Sequence, residues 1–435
     1  MGSGQQLWKT AKGIIPGGNM LLSKRAEMFL PEKWPSYFSK AKGCHIWDLD
    51  NRKLLDVSIM GIGTNLLGYG HKKVDEAVRK TINKGNMSTL NCPEEVMLAE
   101  KLVELHPWAG KVRFSRSGGE ANAIAIRIAR AATGKDKVAI CGYHGWHDWY
   151  LATNIENESN LEGHLLPGLE PNGVPKCLEG TVLPFEFNNL KQLESIVQNH
   201  ELAAIKMEVQ RNDPPNEIFL KRIRNICNQK GIVLIFDECT SGFRETYGGI
   251  HKKFNIEPDM AMFGKALGNG YAITSVIGKT NIMDAVQKTF ISSTFWTERI
   301  GPSAALKTLE VMKEIKSWEI VTNLGLKIKS SWKKIFNENK LDYFETGIPA
   351  LAGFTFKSNH NLIYKTYITQ EMLKRNILAA NSIFVCVEHK DRHLNRYFEE
   401  LNKILKIIKL CEEDKIDPQS ILDGPTCHSG FKRLN

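Results

Sequence analysis

The stretch Ile232-Val233-Leu234-Ile235-Phe236 ending in Asp237-Glu238, followed by Asp259-Met260-Ala261-Met262-Phe263 ending in Gly264-Lys265-Ala266, decides the fold. A continuous apolar run reads as a strand of a parallel sheet buried on both faces, and charge just past its end falls in the crevice where α/β sheets bind ligands. The 28 residues from Asp237 to Lys265 leave room for one crossover, so a carboxylate and an amine can sit on nearby strand ends. A lysine amine can form a Schiff base with the aldehyde of pyridoxal phosphate, and an aspartate can keep the pyridine nitrogen protonated so that the ring accepts electrons. Taken alone, these two segments read equally well as a structural ion pair at a sheet edge.

A phosphate site is the third element. Ser117-Gly118-Gly119-Glu120 precedes the alanine-rich stretch Ala121 to Arg130, whose apolar residues fall at helical spacing. Ser117 and Glu120 fit a capping box and fix the helix start. Two glycines there let backbone N–H groups approach an anion, which the helix dipole favours. An ordinary N-cap with small packing residues is the competing reading of this motif by itself.

These residues, together with Gly-Tyr-His-Gly at 142 to 145 and Gly242-Phe243-Arg244, resemble the class III pyridoxal-phosphate aminotransferases, and within them the glutamate-1-semialdehyde 2,1-aminomutase group. The resemblance runs from Pro16-Gly17-Gly18 through about residue 310, and more faintly beyond. It implies fold type I: an α/β large domain with a mostly parallel sheet, and a smaller α+β domain built from both chain ends. It further implies that Lys265 is the Schiff-base lysine and proton carrier, that Asp237 pairs with the pyridine nitrogen, and that Tyr143 stacks on the ring with His144 beside it. Ser117, Gly118 and Gly119 match the phosphate loop, with Gly119 where the family often has threonine. Glu208 matches a family Glu-Pro pair, Val209 replacing the proline. In the family a threonine of the neighbouring subunit reaches the phosphate; a gap-free alignment makes this Thr294, and anchoring on Pro302 makes it Thr297. The implied assembly is a homodimer with active sites at the subunit interface.

Length and composition agree. At 435 residues and 42% hydrophobic content, the chain exceeds the roughly 250–300 residues of a single core. The expected division is 1–60 as the N-terminal part of the small domain, 61–310 as the cofactor domain, 311–410 as the rest of the small domain and 411–435 as a loosely ordered polar tail. Strands are expected at 44–48, 53–57, 137–141, 203–208, 232–237 and 260–263, with helices from about Lys73, over 320–336 and over 391–410. No apolar run approaches the about 18–20 residues that span a bilayer, and the N-terminus does not read as a signal peptide, so a cytoplasmic protein is expected. Nine cysteines without framework spacing read as reduced, buried thiols. The net charge of +10 is dispersed, with no basic block interleaved with aromatics, which argues against nucleic acid as a partner.

Cys141, His144 and His147 have zinc-like spacing but lack a fourth ligand, and no metal is expected. Candidate substrate residues are Ser23, in the glycine-bearing segment 17–25, Arg116, suited to an anionic group, and Trp146 and Trp296, as pocket walls. The segment from Asn154 to Val182 matches a mobile gate of the aminomutase-like relatives, with a divergent sequence at 161–169 that includes Leu165 and Leu166. The leading expectation is an aminotransferase passing an amino group from a small-molecule donor to an aldehyde or keto acceptor by a ping-pong mechanism. The alternatives are an intramolecular aminomutase and, from another class, a catalytically silent structural or binding homologue, against which the intact Lys265 and Asp237 speak.

Overall fold

The computed structural model describes residues 2–164, 167–216, 218–432 and 434. The chain divides into two compact units, one of residues 72–318 and one of residues 1–71 with 319–435.

The larger unit is built on a seven-stranded sheet. Its strand order is Lys111–Ser115, Thr274–Gly278, Met260–Phe263, Val233–Asp237, Leu202–Met207, Lys137–Cys141 and Val182–Pro184. The last five run parallel, whereas Thr274–Gly278 lies antiparallel between Lys111–Ser115 and Met260–Phe263. Val233–Asp237 and Leu202–Met207 are buried at every position, as strands covered on both faces must be. Register opposes Asp237 to Met262 and Lys206 to Ile235, so the acidic strand end and the segment leading to Lys265 are neighbours.

The helix Gly118–Thr133 covers one face of this sheet. Its Ala121, Ile124, Ala125 and Ile128 pack with Val138, Ile140, Ala204, Val233, Ile235 and Met260. Alanines let the backbone lie close to the strands, while each fully buried isoleucine or valine adds about 1.5–3 kcal/mol.

Immediately after Asp237 the chain must turn without exposing polar backbone to the core. Glu238, fully buried, accepts hydrogen bonds from the N–H groups of Ile250 and His251, from the His251 ring and from Ser241 Oγ. This carboxylate stitches the turn that carries Cys239 and Thr240 to the segment 250–251.

The smaller unit holds a four-stranded sheet (Phe38–Lys42, His45–Asp48, Lys53–Asp56, Ile377–Leu378) and a three-stranded one (Tyr343–Thr346, Leu351–Phe356, Ser382–Phe384). The long helix Asp391–Glu412 also belongs to it. The C-terminal segment departs from the expected loose tail. Asp423 pairs with Lys374 at 3.0 Å, Cys427 N–H donates to Thr366 Oγ1 at 3.0 Å, and His428 N–H donates to the Glu27 carbonyl at 2.8 Å. Its polar composition concealed these three discrete ties.

All nine cysteines are free. Cys177 departs from the expectation of burial, because it sits in the short turn Lys176–Leu178 and is exposed. Among the described residues no helix is long and apolar enough to cross a membrane.

Glu238→Ala leaves two buried N–H groups and a buried imidazole without their acceptor, and should destabilise the larger unit by about 3 kcal/mol. Glu238→Gln, which keeps an acceptor oxygen, should lose less. Chemical denaturation of the two variants measures both values, and equal losses would remove the hydrogen bonds as the cause.

Candidate active site

Asp237 ends its strand as a buried carboxylate. Its Oδ2 accepts from His144 Nδ1 at 2.9 Å, its Oδ1 accepts from the Cys239 N–H at 3.2 Å, and Lys206 Nζ lies 3.9 Å from Oδ2. Burial alone would raise its pKa, but the Lys206 ammonium and the His144 ring outweigh burial and hold it well below the usual carboxylate range. Asp237 is thus an anion at neutral pH. His144, fully buried, has its other nitrogen 3.2 Å from the Cys141 carbonyl. Burial first, and Lys206 second, lower its pKa, so the ring carries a single proton near neutrality. That proton belongs on Nδ1, since a carboxylate is a stronger acceptor than a carbonyl.

Lys265 follows the strand Met260–Phe263 after one glycine and opens the short turn Lys265–Gly268. Its φ is +43°, a left-handed conformation that costs a non-glycine residue about 1–2 kcal/mol and marks positions where side-chain placement outweighs backbone comfort. Nζ donates to Thr240 Oγ1 at 2.8 Å. Burial, then Arg211 and Arg244, pull the ammonium down to about 8.

The N-terminus of the helix Gly118–Thr133 forms a cup. Ser117 Oγ accepts the Glu120 N–H at 3.4 Å, and Glu120 Oε2 accepts the N–H groups of Ser117 at 2.8 Å and Arg116 at 3.0 Å. The box is complete, and the N–H groups of Gly118 and Gly119 have no intrahelical acceptor. A Cβ at Gly119 would stand 2.8 Å from the His147 ring, which accounts for glycine at that position. His147 Nδ1 is buried and carries no hydrogen bond among the described residues.

Glu208 closes another side. Arg211 grips both of its oxygens, with Nε to Oε2 at 2.8 Å, and the Tyr143 N–H donates to Oε2 at 3.3 Å. Gly142 adopts φ +113°, and a Cβ there would meet Glu208 Oε2 at 2.7 Å. The first glycine of Gly-Tyr-His-Gly therefore lets the carboxylate approach. Tyr143 packs edge-on against Tyr150 with centroids 5.9 Å apart.

The remaining candidates separate. Arg116 turns its guanidinium to the carbonyls of Trp296 and Glu298, each at 2.9 Å, with the Glu298 carboxylate 2.9 Å from Nε. Its fork is occupied by the chain itself. Trp296 donates its indole N–H to Glu120 Oε1 at 3.0 Å. Trp146 is exposed and stacks on His147. Thr294 and Thr297 lie exposed in the turn Thr294–Thr297, and Thr297 Oγ1 donates to the Thr294 carbonyl at 2.8 Å. Ser23 belongs to the other unit, in the turn Leu22–Lys24. In the expected gate, Asn154 ties Leu161 and Leu169 together, and His164 accepts the Gly142 N–H at 2.8 Å; Leu165 and Leu166 lie outside the described residues.

Sequence reasoning missed Arg211, Thr240, His147 and Lys206 as parts of this site. Arg211 was visible as a cation three residues past Glu208, Thr240 as a hydroxyl three residues past Asp237, and Lys206 as a lone charge inside an apolar strand. In the sequence, His147 stands out only by its zinc-like spacing from Cys141 and His144. Cys44, His45 and His393 bring three possible metal-ligating atoms within 4.8 Å of one another in the smaller unit. Burial pulls His45 down to about 4, with Lys53, His393, Arg392 and Arg396 adding to it.

The sequence model described as Aminotransferase class-III matches residues 31–359. A 3-aminobutyryl-CoA aminotransferase of Cloacimonas acidaminovorans is 32% identical over 421 residues, covering 93% of this chain and 96% of that protein. A glutamate-1-semialdehyde 2,1-aminomutase of Syntrophus aciditrophicus is 34% identical over 433 residues, covering 93% and 98%. Among solved structures, the FumI protein of Sphingopyxis sp. MTA144 in its PLP internal aldimine form superposes with a TM-score of 0.85 at 22% identity, covering 97% of this chain and all of that one. The fold is that of the fold type I transaminases. The chain belongs to the class III aminotransferases and is a pyridoxal-phosphate-dependent enzyme of that family.

The residues present fit this cofactor. A buried anion can face the ring nitrogen, a lysine of lowered pKa can meet the aldehyde, and a helix N-terminus with an unpartnered imidazole nitrogen beside it suits a phosphate.

In the cofactor-free protein, acylation of Lys265 should rise with pH through a midpoint of about 8, because the lowered pKa frees the amine above that value. Residue-resolved mass spectrometry after pulse labelling reads this, and Arg211→Met should raise the Lys265 midpoint. A wild-type midpoint near 10 would contradict the electrostatics described.

Proposed function

We propose that Lys265 holds the cofactor between turnovers and that the enzyme passes an amino group from a small-molecule donor to a separate carbonyl acceptor in two half-reactions at one site. The observation that carries this reading is the pairing of Lys265, with its ammonium near 8, and the anionic Asp237 on adjacent strand ends of the sheet. Pyridoxal phosphate supplies an aldehyde that receives the amine and a ring that accepts the electron pair left when the substrate carbon loses its proton. Lys265, once free of the cofactor, would hold and move that proton at Nζ, a task suited to an amine with its pKa lowered to about 8. Asp237 would face the ring nitrogen and hold positive charge there, and His144 holds Asp237 in place. Tyr143 would lie against the ring. Ser117, Gly118 and Gly119 would hold the phosphate, and the Arg211-bound Glu208 would stand at the edge of the same site.

The functional unit in this reading is a homodimer in which Thr294 of each subunit reaches the other's phosphate. Exposed apolar side chains support it. Met87, Leu90, Met97, Phe290 and Phe295 are all exposed, and Thr297 Oγ1 approaches Met87 Sδ at 3.4 Å, linking the two segments. Clustered exposed apolar side chains of this kind mark interaction surfaces.

Borohydride reduction of the loaded enzyme should fix the cofactor on Lys265, and Lys265→Ala should fold without turning over. Incubation with amino donors alone should convert the bound cofactor to its amine form and release one equivalent of carbonyl product. Retention of all product until an isomer forms would instead identify the aminomutase.

A charge-assisted phosphate contact is worth about 1.5–3 kcal/mol, so Thr294→Ala should weaken cofactor affinity roughly ten-fold or more. Mixing Thr294→Ala with Lys265→Ala protomers should restore activity, because in a heterodimer one site carries both lesions and the other neither. Heterodimers without activity would return Thr294 to its own subunit and bring Thr297 forward.

A further inference from the structure

The strand Leu202–Met207 reads Leu-Ala-Ala-Ile-Lys-Met, and each of its six side chains is buried. Lys206 is the anomaly. Its side chain is 0% exposed, in the middle of a sheet covered on both faces, where an ammonium loses its hydration. Nζ lies 3.4 Å from the thioether sulfur of Met262, a weak acceptor, and 3.9 Å from Asp237 Oδ2. The groups facing it are Asp237 and Cys239 at the end of the adjacent strand, Glu208 just past its own strand and His144 across the site. Burial draws the ammonium down to about 8 against the pull of Asp237. Hydrophobic packing of this strand does not call for a cation. Its nearest carboxylate is the one on which the cofactor's ring nitrogen depends.

We propose that Lys206 is a positioning residue that shares the negative charge of Asp237 with the ring nitrogen of the cofactor, so that the nitrogen receives less than a full counter-charge. The inference rests on the reading of Asp237 as the ring nitrogen's partner. Oδ2 already accepts a hydrogen bond from the His144 ring, so a cation beside it leaves the carboxylate less basic toward the ring nitrogen. Lys206 thereby moderates the electron-withdrawing power of the ring, through Asp237 and without touching the cofactor's reactive carbon. The chain balances a strong hold on the ring proton against a milder one by means of a single side chain buried behind the aspartate.

The test measures binding of pyridoxal phosphate, and of its analogue with carbon in place of the ring nitrogen, to the cofactor-free protein by quenching of tryptophan fluorescence. Lys206→Met removes the charge at similar volume, and Lys206→Gln does so while keeping a polar end should the first fail to fold. Either variant should bind pyridoxal phosphate about five-fold or more tightly than the parent, as expected for removing a cation that competes with the ring nitrogen for one carboxylate. Neither should change affinity for the carbon analogue. In an Asp237→Asn background the Lys206 effect should vanish. Equal gains for both ligands would show a structural effect of Lys206 and overturn the proposal. If Asp237→Asn weakens both ligands equally, the reading of Asp237 itself fails. If it weakens pyridoxal phosphate alone while the Lys206 variants change nothing, only the role of Lys206 is lost.

Discussion

An ionised carboxylate survives inside a protein when other charges and hydrogen bonds replace the water it has lost, and Asp237 depends on that replacement. His144, Lys206 and the Cys239 amide supply it from three directions. Each of these lies on or beside a strand of the same sheet, so the order and register of the parallel strands are what bring the groups together. The left-handed turn at Lys265, the close glycine at 142 and the buried stitch made by Glu238 are the local accommodations that let strand ends carry chemistry.

Much of this was legible in the sequence because it followed from short-range patterns. Apolar runs fixed the four central strands, and Ser117 with Glu120 fixed the start of the helix that bears the phosphate cup. What escaped was long-range. The strand Thr274–Gly278 enters the sheet antiparallel, between partners 149 residues apart in sequence, and nothing local announces it. Arg116 read as an anion receptor because arginine is suited to one; its carbonyl partners at 296 and 298 lie far along the chain and cannot be seen from position 116. Lys206 is the instructive intermediate, since its sequence context made it conspicuous but only the neighbouring strand explains what it faces.

The relatives span two reactions. The Syntrophus protein is named for moving an amino group within a molecule, and the Cloacimonas protein for transferring one between molecules. In the proposed reading, Asp237 and Lys265 would serve either chemistry, because both require a proton to leave one carbon and return to another. Distinction between them belongs to whatever governs release of the first product.

Glu120 has a consequence for how single substitutions in this protein are to be read. One carboxylate closes the cap of the cup helix, accepts the Arg116 amide and holds the indole of Trp296, while Arg116 in turn grips the carbonyls of Trp296 and Glu298. The turn containing Thr294 is thus bolted to the rim of its own subunit's cup. Genetic lesions at 296 or 298 would loosen this mounting through Glu120 and Arg116. A map of such lesions would trace the mounting of the site as well as its contacts, and the two would be told apart by charge chemistry rather than by position in the sequence.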